Sequence, residues 1–64
     1  MNDDVREKIS SWRWRMVKSA GSVRAFCEAH GLNQPSVSLW MSGRVNPFPH
    51  NVDKVEAALR KDGV

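Results

Sequence analysis

The chain has little of what staples a small protein together. It carries one cysteine, Cys27, so no disulfide closes within it and a cysteine-based zinc site lacks ligands. That usage suits a reducing cytosol. His30 and His50 are separated and have no partners at metal-ligand spacing, so both read as ordinary surface or cap residues and no metal is expected. No apolar run approaches the roughly 18 to 20 residues of a membrane span. The opening Met-Asn-Asp-Asp is too polar and acidic for a secretory signal. No segment alternates cleanly enough for a strand, and there is no internal repeat. A convergent acid–base pair, a nucleophile with its base and a phosphate-cradling loop are all missing. The expectations are therefore no enzyme, no cofactor and no membrane.

What is present is a single domain with a positive middle. Sixty-four residues allow one hydrophobic core, and a small one. Hydrophobic residues at 41% and charged residues at 27% place the chain among globular sequences. Lys and Arg number 10 against 7 Asp and Glu, a net charge of +3. The excess lies between residues 10 and 44, where Arg13, Arg15, Lys18, Arg24 and Arg44 face Glu28 alone. A localised basic surface favours a polyanion. Many solvated domains carry as much charge, so charge by itself selects no partner.

Hydrophobic spacing predicts an all-α chain of four or five short helices, with a core over about 5–60. Val5, Ile9, Trp12 and Met16 form one stripe of a helix from about 3 to 19, capped by Asn2 or Asp3 and ended at Ala20-Gly21. Trp14 lies well off that stripe, against the last helix, against a second subunit or partly exposed. Ser22 caps a second helix, Val23 to His30, which Gly31 closes in the left-handed conformation. Its inward candidates are Val23, Phe26 and Cys27. Asn33 caps a third, about 34–41, with Pro35 in its first turn and Val37, Trp40 and Met41 inward. Residues 44–50 form a proline-punctuated loop. A fourth helix, about 51–61, turns Val52, Val55, Ala58 and Leu59 inward, and the tail 62–64 is expected to fray.

Two short helices joined at a glycine describe a helix-turn-helix, here over about 22–42. Cys27 is a small residue where the helices cross, Gly31 supplies the turn, and Val37 and Trp40 clamp the second helix onto the first. The stretch Ser22 to Arg44, with its run Val37-Ser-Leu-Trp-Met-Ser-Gly-Arg44 and Pro47 beyond, resembles the helix-turn-helix of the lambdoid phage repressor and Cro family. The resemblance covers roughly residues 9–60. Val23 stands where that family often has a glutamine on a phosphate, and Cys27 where it has alanine. Helix 1 is longer than in the shortest members, and the absence of a separate oligomerisation domain makes the likeness Cro-like.

The resemblance implies a lambda-repressor-like DNA-binding domain and a set of contacts on double-stranded DNA. Asn33 matches a phosphate-touching cap. Gln34 matches a reader of an adenine edge, with N6 and N7 as its partners. Pro35, Ser36, Ser38 and Leu39 lie near the groove, and Pro35 and Leu39 offer only apolar contact. Arg44 and Asn46 match backbone-contacting positions, while Ser22 or Arg24 replaces the contact missing at Val23. Arg13 and Arg15 are further phosphate candidates. The implied function is a repressor of phage or mobile-element type, a homodimer on an inverted-repeat operator, in the bacterial cytoplasm at the nucleoid. The alternative is a helix-turn-helix interaction module of antitoxin or anti-repressor kind, with Trp14 and Phe48 as exposed anchors.

Overall fold

The computed structural model describes residues 3–64. Four helices follow one another: α1 (Asp3–Ala20), α2 (Val23–His30), α3 (Gln34–Ser42) and α4 (Pro49–Lys61). Among the described residues there is no strand. The cap expected of Asn2 or of the Asp3 side chain lies outside the described residues. At about 1.5 Å per residue, α1 runs the length of a domain measuring 27 × 21 × 18 Å. It packs against each of the other three helices.

The core is the stripe read from the sequence. Ile9, Trp12 and Met16 from α1, Phe26 and Cys27 from α2, Val37 from α3, and Val52, Val55 and Leu59 from α4 are buried together. Each large apolar side chain so buried contributes about 1.5–3 kcal/mol. Val5, Val23, Met41 and Ala58 pack half-buried around them. Trp40 does not join the sealed core as expected. It sits at the rim, half-buried between two surface crevices. Val37, one turn earlier, takes the central position.

Three polar ties hold α1 to the C-terminal part of the chain. Trp12 is fully buried, and its indole Nε1 donates to Glu56 Oε1 at 2.9 Å. Arg15 Nη1 donates to both oxygens of the same carboxylate at 3.2 Å, and its Nη2 donates to the main-chain oxygen of Val64 at 2.9 Å. With side chains only 15% and 14% exposed, Arg15 and Glu56 are an interior pair. Arg15 is thus not a free phosphate ligand: it spends its donors inside the protein. Ser19 Oγ donates to Asp62 Oδ2, and His30 Nε2 donates to the same oxygen at 2.9 Å. The His30 ring also lies 4.5 Å from that of Phe26, so His30 is a packed linker rather than an ordinary surface residue.

Two boundaries differ from the expected ones. Helix α4 starts at Pro49, not Asn51, with Phe48 as its uncapped N-cap. Proline suits the first turn because its fixed φ is helical and its missing N–H has no partner there anyway. The tail does not fray. Gly63 takes φ +77°, turning the chain back so that the Val64 N–H reaches Leu59 O at 3.1 Å and its side chain packs on the core.

Glu56→Ala removes the acceptor of a buried indole N–H and the partner of a half-buried guanidinium. It is expected to lower stability by about 2–4 kcal/mol, read from urea denaturation; a shift within experimental error means that the Trp12 tie carries no weight. The hydrogen bond from Ser19, and then that from His30, hold the Asp62 carboxyl below its ordinary range. A lowered folded-state pKa adds stability that is present above about pH 4, the unfolded value, and lost as pH falls through the folded one. Asp62→Asn should therefore melt below the wild type at neutral pH, with the gap closing in acid. A gap that stays constant down to about pH 2 contradicts this linkage.

Candidate functional site

The turn between α2 and α3 is built from local signals. The Ser22 hydroxyl oxygen accepts from the Ala25 N–H at 3.0 Å and starts α2. Gly31, at φ +66°, ends it, with the Leu32 N–H reaching Cys27 O at 2.8 Å. Left-handed φ strains any side chain with a Cβ. Asn33 follows in extended conformation, and its Oδ1 accepts from the Ser36 N–H at 3.2 Å. That bond uses only the carbonyl half of the amide. The Asn33 –NH2 stays available to an outside acceptor.

Helix α3 therefore enters with its first turn capped and its inner face seated through Val37, which is buried. The opposite face is exposed at Pro35, Leu39 and Ser42. Gln34 and Ser38 are half-buried on the flank, and Gln34 Nε2 donates to Ser38 Oγ at 3.2 Å. The bond holds the glutamine along the helix while leaving its carbonyl oxygen and one N–H unspent. Ser36 stands apart from this face. It lines a crevice of ≈ 220 Å³ with Trp40, Asn51 and Lys54, between α3 and α4.

Beyond α3 the chain folds back on the helix end, with the Arg44 N–H to Leu39 O at 3.2 Å. The Arg44 side chain is exposed and has no ion pair among the described residues. Asn46 is exposed at the mouth of a ≈ 420 Å³ crevice that it shares with Arg6, Ser10 and Trp40. Ser22 and Arg24 stand exposed at the start of α2. Arg24 is paired with Glu28 at 3.1 Å, one turn along. An exposed pair of this kind is worth under about 1 kcal/mol, so a stronger anion can displace Glu28.

One thing about this surface was hidden in the sequence. Lys54 lines the same crevice as Asn33 and Ser36, which adds a cation from α4 beside the α3 cap. Its position on the outer flank of an amphipathic helix gave no such hint. Cys27, expected on the inner side of α2, is buried there, and burial pushes its thiol pKa up. It is a packing residue, held in the unreactive protonated form. No group of three or more potential metal-ligating side chains occurs among the described residues. Compared with family models, with curated proteins and with solved structures, the chain matches none.

The turn sets the orientation of α3, so its two special residues are expected to carry measurable stability. No atom lies within 4 Å of a Cβ built on Gly31, so Gly31→Ala meets backbone strain alone, about 1–2 kcal/mol. Asn33→Ala removes the cap at about 1 kcal/mol. Denaturation midpoints measure both, and a neutral Gly31→Ala refutes the turn geometry.

Proposed function

We propose that the protein is a sequence-specific, double-stranded DNA-binding transcriptional regulator, a repressor of phage or mobile-element type that acts by occupying promoter DNA. The observation that carries this reading is the two-sidedness of α3. Val37 anchors it in the core, while Pro35, Leu39 and Ser42 on its other side touch no interior. Such a helix-turn-helix presents a short, rigid rod, N-terminal end foremost, to the major groove.

The roles follow from the donors left free. Asn33, through its amide –NH2, and Arg44, through its unpaired guanidinium, bond phosphates and fix the register. Lys54 adds positive charge beside Asn33. Gln34 reads an adenine edge with the amide atoms that the Ser38 bond leaves unspent. Leu39 and Pro35 meet thymine methyls. Ser22 and Arg24 take the backbone on the neighbouring strand of the groove. One module makes few contacts, so useful affinity needs two of them on an inverted repeat with half-sites about 34 Å apart.

A second reading, an interaction module whose main partner is a protein, draws on the exposure of Phe48. Phe48 is 68% exposed, and its ring is stacked on that of His50 at 5.8 Å. Titration of the protein against random and selected duplexes at moderate salt distinguishes the two readings.

Gln34→Ala is expected to cost about 1–3 kcal/mol on the selected site and to relax choice at one base pair. Arg44→Ala is expected to weaken all sequences alike and flatten the salt dependence by about one unit. Absence of any duplex binding at low salt rejects the regulator reading. An equal loss for Gln34→Ala on random DNA removes only its base-reading role.

A further inference from the structure

The outer face of α1 has no use in the fold or in the proposed DNA contact. Trp14 is 59% exposed there, with Val17 exposed one turn along. It stands outside the cluster of buried and half-buried side chains that makes the core. A large indole left in water on a domain with so little core is an unpartnered group.

Its surroundings identify the partner. Glu7 and Lys18 are exposed, and neither has an ion pair among the described residues. They lie three turns apart, about 16 Å along the axis, and within roughly 40° of Trp14 on the helical wheel. A single charged strip thus runs from acid to base with the indole between. Beside Trp14 lies an open hollow lined by Arg6, Glu7, Ser10 and Ser11.

These features are self-complementary. We propose that the outer face of α1 is a self-association surface on which a second copy of this chain docks antiparallel. A two-fold axis crossing α1 midway between Glu7 and Lys18 places each glutamate opposite the partner's lysine, and each lysine opposite the partner's glutamate. The same axis sets each Trp14 over the partner's Ser10–Ser11 hollow. Arg6 at its edge then offers a cation to the indole face. The contact is isologous, as a closed dimer requires. One helix face buries less than the roughly 1,200 Å² of a standard interface, so the dimer is weak and forms at high protein concentration. The inference does not rest on DNA binding and is tested without DNA.

Sedimentation equilibrium from micromolar to about 1 mM protein, at low salt, is expected to show a monomer–dimer equilibrium. Trp14→Ala should weaken it at least tenfold with an unchanged far-UV circular dichroism spectrum. E7K and K18E each convert two attractions into two repulsions and should each weaken self-association by about tenfold. An equimolar mixture of E7K and K18E restores association, because each lysine then meets a glutamate again. The proposal is overturned if the wild type stays monomeric throughout, if Trp14→Ala dimerises as well as the wild type, or if the mixture of charge variants associates no better than either alone.

Discussion

One carboxylate organises this domain. Glu56 accepts from the buried indole of Trp12 and from Arg15 at once. Without it, a fully buried ring keeps an unpaired N–H and an interior guanidinium loses its counter-charge, each a larger penalty than any single surface contact can offset. Because Arg15 also holds the Val64 main-chain oxygen, the same group locks α4 and the residues after it onto α1. Helix α3 has no comparable polar tie. It is held by Val37 in the shared core and packs against α1 and α2.

What could be read in the sequence was local. Ser22, Gly31 and Asn33 announce the α2–turn–α3 segment because a cap and a left-handed glycine act within a few residues. The stripe Ile9, Trp12, Met16 announces the inner face of α1 because helical periodicity does the same. What could not be read depends on partners far along the chain. Arg15 was read as a phosphate candidate, and its partners Glu56 and Val64 lie 41 and 49 positions away. His30 looked idle because Asp62 is 32 positions off. The tail looked loose for the same reason: composition marks it as a terminus, and only the return at Gly63 makes it a clasp. Trp40 was misjudged by degree, since periodicity gives a direction but not the depth at which a ring stops.

The candidate surface shows a similar division. Asn33, Gln34, Pro35, Ser38 and Leu39 were assembled by the family resemblance; Asn33 caps α3, Pro35 and Leu39 are exposed on it, and Gln34 and Ser38 lie half-buried on its flank. Ser36 was included because it is close in sequence, yet 100° per residue carries it to the side facing α4. Lys54 was missed because it reaches this surface through packing. The cap and the Gln34–Ser38 bond add a property that spacing cannot supply. They restrain side chains without exhausting their donors, which lowers the ordering cost of meeting a partner.

A chain this small has few ways to add stability, and α1 shows how far one helix is stretched. Its inner face supplies the core that three other helices share, and its polar flank supplies Ser11, Arg15 and Ser19 to the ties that bind the far end of the chain. Only its outer face remains uncommitted. Trp14 is the larger of the two exposed hydrophobic side chains described on α1, the other being Val17. Its ring is 59% exposed and stands outside the cluster of buried and half-buried side chains. The proposed self-association gives that ring a partner, with the opposed charges at Glu7 and Lys18 as the feature that selects a second copy of α1.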